Sequence, residues 1–71
     1  MENHGKQLEV NGWAMIAHAS RRTPEAKWEL SISSIRKGNE YVRDWDDADG
    51  CYATEEDAYK AAEKWARKNL S

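Results

Sequence analysis

The residues of this chain best suited to chemistry crowd into a single run. Between Asp44 and Asp57 there are seven acidic side chains (Asp44, Asp46, Asp47, Asp49, Glu55, Glu56 and Asp57) and no basic one. Carboxylates at this density suit a divalent cation, and a calcium-binding loop is the first pattern to compare. Counting from Trp45, residues Asp47, Asp49, Gly50 and Glu56 fall at the third, fifth, sixth and twelfth positions of such a loop. The first position, however, is a tryptophan with no ligand oxygen, and the residues before it have the pattern of a strand, not of an entering helix. The run reads instead as a solvated turn leading into a helix. Its acids, above all Asp46, Asp47 and Asp49, become candidates for a negative surface that meets a basic protein partner.

A second constellation precedes it. If Val42 points into the core, then Tyr41, Arg43 and Trp45 line the opposite face of a strand, and an aromatic-basic-aromatic row is one way of holding single-stranded nucleic acid by stacking and charge. The other register puts Tyr41 and Trp45 in the core. Arg21 and Arg22, with Lys27, Arg36 and Lys37, offer phosphate contacts or are simply solvated. Catalysis finds little support. His18, in AMIAHAS, and His4 lack a Ser or Cys in a nucleophile motif, and metal-ligand spacing and a Gly-rich phosphate loop are both missing. Cys51, the one cysteine, reads as a small half-buried residue and suits a reducing compartment. No cofactor, metal or small-molecule substrate is expected.

What must position these residues is a small domain. The chain has 71 residues, 39% of them hydrophobic and 34% charged, with four Trp, three Tyr and no Phe. A few large rings therefore fill one thin core, and a chain this short buries only about 60% of the surface it exposes when unfolded. Residues 1–43 carry seven basic and five acidic side chains, and residues 44–71 carry four and eight. Such a split argues against a protein that coats nucleic acid on all sides. The longest apolar run, Trp13 to Ala17, falls far short of the roughly 20 residues of a membrane span, and a cytoplasmic location is expected.

The clearest element is a helix from Thr54 to Leu70. Thr54 is an N-cap with Asp57 at the third helical position, acids occupy the first turn, and Lys64, Arg67 and Lys68 lie toward the end. Ala58, Ala61, Ala62, Trp65, Ala66 and Leu70 make one stripe that is nearly all alanine, so the helix lies close to what it covers, with Trp65 as its large anchor. Burial there would make Trp65→Ala cost about 3–5 kcal/mol.

Upstream, residues 1–6 are expected to be a flexible N-terminus and 7–71 a single domain. Gln7 to Val10 and Trp13 to Ala19 flank Asn11-Gly12, a strong hairpin signal. Lys27 to Ile35 alternates, with Trp28, Leu30 and Ile32 on one face; Ile35 falls out of phase, so either a bulge near Ser33-Ser34 turns it inward or it sits exposed near the strand end. Lys37-Gly38-Asn39 turns into a strand from Glu40 to Trp45, and Asp46 to Gly50 reads as a loop.

The succession Gly12-Trp13-Ala14-Met15-Ile16, Trp28-Glu29-Leu30-Ser31-Ile32, Gly38, Val42, Gly50-Cys51-Tyr52 and Ala53 through Arg67 resembles a family of short, uncharacterised bacterial domains of a β-sheet and a C-terminal helix. The resemblance covers roughly residues 10–70. This chain ends in Asn69-Leu70-Ser71 where many relatives have an Ile-Asp pair. What the resemblance implies is the fold, with no activity attached. The expectation is an α+β domain: a three- or four-stranded antiparallel β-meander with one C-terminal helix packed on one face. The opposite face is then bare. The function expected is a non-enzymatic interaction module that binds a protein partner or forms a homodimer through that face or the acidic loop. The alternative is a nucleic-acid binder using Arg21, Arg22, Tyr41, Arg43 and Trp45.

Overall fold

The computed structural model describes residues 2–70, apart from the side chains of Ala48 and Asp49. Strand β1 (Glu2–Val10) turns through Asn11-Gly12 into β2 (Trp13–Arg21). Both turn residues have positive φ, 53° and 84°, as a type I′ hairpin requires and as Asn and Gly tolerate best. Pairing then runs without a slip from Val10↔Trp13 to Glu2↔Arg21. The first strand therefore begins at Glu2, not at Gln7, and residues 2–6 form a paired strand where a patternless tail was expected. Their polar sequence carries no periodic signal, but β2 offers an unbroken edge on which their backbone groups complete the ladder.

Pro24 sits second in a turn closed by the Ala26 N–H donating to the Thr23 carbonyl at 3.0 Å, and β3 (Trp28–Lys37) follows. Trp28, Leu30 and Ile32 are buried, as their alternation predicts. The β2–β3 register slips by one residue between Ile16↔Ser33 and Ala14↔Arg36, with Ser34 at φ 55°. Of the two outcomes the sequence leaves open for Ile35, the bulge is the one realised, and it returns this residue to the core at 1% exposure.

Strands β4 (Glu40–Val42) and β5 (Trp45–Tyr52) both pair with β3 along the edge that β2 leaves free. They share one register: Lys37↔Glu40, Arg36↔Tyr41 and Ile35↔Val42 continue as Ile32↔Trp45, Ser31↔Asp46 and Leu30↔Asp47. The described residues thus form a five-stranded antiparallel sheet, more strands than the three or four expected. The extra one arises because the last strand is interrupted at Arg43-Asp44, opposite the Ser33-Ser34 bulge. A further correction concerns residues 46–50, which were expected to loop. They belong to β5, whose pairing with β3 shifts between Leu30↔Asp47 and Trp28↔Tyr52. Gly50 lies in that shift, where a Cβ would stand 2.0 Å from Asp47 Oδ2.

Helix α1 (Glu55–Asn69) covers one face. Its cap is the one the sequence specifies, with the Asp57 N–H donating to Thr54 Oγ1 at 3.0 Å. Ala58, Ala62 and Ala66 are fully buried, and Leu70 closes the stripe. The helix runs alongside β1: His4 Nδ1 is 3.2 Å from Glu55 Oε1 at one end, and Asn11 Nδ2 donates to the Leu70 carbonyl at 3.0 Å at the other. Trp65 is only half-buried, at the margin of the layer, so the alanines rather than this ring seat the helix. No described helix is long and apolar enough to cross a membrane.

Candidate contact surfaces

Register decides which side chains share a face. On the covered side, Leu8, Met15, Ala17, Ile32, Ile35, Val42 and Trp45 follow one another across the strands. Val42 and Trp45 face the same way although three residues apart, since the interruption at Arg43-Asp44 absorbs the extra residue. The expected row of Tyr41, Arg43 and Trp45 therefore does not exist on one face, and neither of the two registers weighed from the sequence is realised. Trp45 lies on the helix side, stacked on Trp65 with ring centroids 4.8 Å apart and planes at 22°. Tyr41 stands on the bare side, 75% exposed, the one exposed large hydrophobic residue among those described. Arg43 is exposed in the interruption between them.

The basic loop fares similarly. Arg21 Nε donates to Glu2 Oε1 at 2.8 Å, its Nη1 donates to the Pro24 carbonyl at 3.0 Å, and its guanidinium lies 4.4 Å above the Trp28 ring. With its donors turned inward it holds the open end of the β1–β2 hairpin. Arg22 alone of the pair is exposed.

Among the described residues, alternation along β5 sends Asp46 and Asp47 to opposite sides of the sheet. Asp46 is exposed on the bare face, beside Ser31. Asp47 turns to the helix side, where it accepts a hydrogen bond from the Tyr52 hydroxyl. The Asp49 side chain lies outside the described residues. Among the described residues no group of three or more His, Cys, Asp or Glu is placed to hold a metal ion. Cys51 is exposed, not half-buried.

The bare face is mostly polar. Successive rows across it are Gly5, His18, Ser31 and Asp46; then Gln7, Ile16 and Ser33; then Glu9, Ala14, Arg36 and Tyr41. His18 Nε2 shares a hydrogen bond of 2.7 Å with Ser33 Oγ, which fixes the imidazole against the sheet. Near Ile16 and Ala14, where the bulge at Ser34 spreads the strands, a depression of about 400 Å³ opens between Gln7, Glu9 and Arg36. Sequence reasoning found Tyr41 but not its neighbours, because the partnership of Ala14, Arg36 and Tyr41 depends on the slip in register.

Two tyrosines on the covered side hold carboxylates. Burial, followed by the hydrogen bond to Asp47 and its charge, pushes the Tyr52 hydroxyl from 10.0 up to about 12. Burial and the hydrogen bond to Glu55, 2.9 Å long, do the same to Tyr59. The folded values exceed the unfolded ones, so this stability is complete below pH 10 and is lost as pH rises toward 12. The gap in denaturation midpoint between the parent chain and Tyr52→Phe is expected to stay constant up to pH 10 and narrow above it. A gap that stays flat to pH 12 would show the hydroxyl to be solvated in the folded chain.

Compared with family models, curated proteins and solved structures, the chain matches none.

Proposed function

We propose that this domain is a non-enzymatic interaction module of the cytoplasm, and that it holds a protein partner or a second copy of itself on the bare face of the sheet. The observation that carries this reading is Tyr41, 75% exposed and paired across the strands with Arg36, which itself lines the depression over Ile16. Tyr and Arg are the side chains most often found to anchor interfaces, and a pocket next to them receives an anchor from the other side. The small residues Gly5, Ala14, Ser31 and Ser33 leave the surface flat enough for close approach.

The nucleic-acid reading loses its main support, since Trp45 stacks within the fold and Arg21 is internally bonded. What remains on the bare face is one aromatic and one arginine among acids, too little to follow a phosphate backbone.

A photo-crosslinking amino acid at position 41, compared with one at position 60 on the outer side of the helix, tests the proposal in cells that express the chain. A discrete adduct from position 41, of twice the chain's mass for a second copy or of another fixed mass for a partner, is the expected result. Adducts from position 60 but none from position 41 would move the interface off the sheet and end this reading.

A further inference from the structure

The free edge of β5 and the flank of α1 form a second surface, separate from the bare face. Between them lies a groove of about 430 Å³ lined by Trp45, Tyr52, Trp65, Asp47, Lys64 and Lys68. Its floor is the Trp45–Trp65 stack, two rings that stay half-buried in a fold with every other tryptophan buried. Its rim carries two lysines one helical turn apart. Lys60 and Arg67 are paired with Glu56 and Glu63, but among the described residues neither Lys64 nor Lys68 has an acidic partner. Beside the groove, β5 pairs only with β3, so the backbone groups along its outer side from Trp45 to Asp47 have no partner strand among the described residues. On the other side of this edge Asp46 is exposed.

We propose that this edge accepts an extended segment of a partner protein as an added strand, one that presents acidic and apolar side chains toward the helix and basic side chains away from it. Main-chain pairing supplies the attachment, and the alternation of side chains supplies the choice of partner. On the helix side, acidic groups meet Lys64 and Lys68 while an apolar side chain covers the tryptophan stack. On the far side, a base meets Asp46. A second copy of the chain is a poor occupant, because antiparallel pairing of β5 with itself sets acids against acids across the new ladder. A nucleic acid is a poor occupant for the same reason, since its phosphates would run beside Asp44 and Asp46.

The test uses two capped pentapeptides of identical composition, Glu-Lys-Leu-Lys-Glu and Lys-Glu-Leu-Glu-Lys, titrated into the full chain while the indole N–H resonances of Trp45 and Trp65 are followed by NMR. The first peptide places its leucine and both carboxylates on the helix side together, and the second cannot. Saturable shifts with a preference of about tenfold for the first peptide are expected. The triple variant Asp46→Lys, Lys64→Glu, Lys68→Glu changes only exposed side chains and should reverse the preference. Equal binding of the two peptides, no shift with either at millimolar concentration, or an unreversed preference would each overturn the proposal. So would shifts that need only a rise in the chain's own concentration, or that a single-stranded thymidine oligonucleotide produces more strongly than either peptide.

Discussion

Ile32→Ala is expected to leave the domain largely unfolded at room temperature, while Ile32→Val leaves it folded with a lower midpoint. Ile32 is fully buried, between Ala17 on β2 and Trp45 on β5, beneath the helix. Ala17 is too small to close a void, and Trp45 is held in its stack with Trp65, so the site has little freedom to collapse. Removing a buried Ile side chain to the β-carbon costs about 2–5 kcal/mol, the upper part of the range applying where neighbours cannot relax, and removing one methyl costs about 0.5–1.5. A domain of this length has only about 3–5 kcal/mol in hand, so a loss in the upper part of that range removes all or nearly all of it. Urea denaturation of the three chains checks the series. Equal losses for Val and Ala would mean that Ile32 is not packed on both sides.

The second large effect runs in the opposite direction, from adding atoms. Ala58, Ala62 and Ala66 have no exposed surface, and the helix backbone consequently lies low over β2 and β3. Ala62→Leu has no vacancy to fill at the middle of this stripe, so α1 must lift. Overpacking of this kind costs about 1–3 kcal/mol, and lifting also loosens contacts at Ala58 and Ala66. Ala61→Leu, one residue away on the half-buried flank, is expected to cost far less. Thermal unfolding of the two variants makes the comparison. If Ala62→Leu matched Ala61→Leu, the helix would be shown to ride higher on the sheet than these alanines indicate.

The helix was legible in the sequence because its signals are local. Thr54, the first-turn acids and the alanine stripe each act within a few residues, and the structure has them as read. The bulge was half legible: Ile35 breaks the alternation of Trp28, Leu30 and Ile32, which a bulge or an exposed strand end would equally explain. What escaped was its consequence for the facing strand. Ile32 and Ile35 are three residues apart and both inward, and their partners Trp45 and Val42 are also three apart and both inward. The matched spacing was present in the chain, but only pairing gives it meaning. Reading Glu40 to Trp45 as one regular strand put Tyr41 and Trp45 on the same side, and the proposed nucleic-acid row followed from that. The first strand escaped for the converse reason, because its order comes from β2 and not from residues 2–6 themselves. Trp65 was correctly placed on the inward stripe, but its half-exposure depends on how far the sheet extends beneath it, which no local pattern encodes.

The position of α1 after all five strands bears on how the chain is made. Synthesis delivers the sheet before its cover, so Met15, Trp28, Leu30 and Ile32 face water until the last turn of the helix has cleared the ribosome and Leu70 reaches Asn11. During that interval the nascent chain is an adhesive ribbon with two unguarded margins, and its apolar face stays open until residues 55–70 have emerged to cover it.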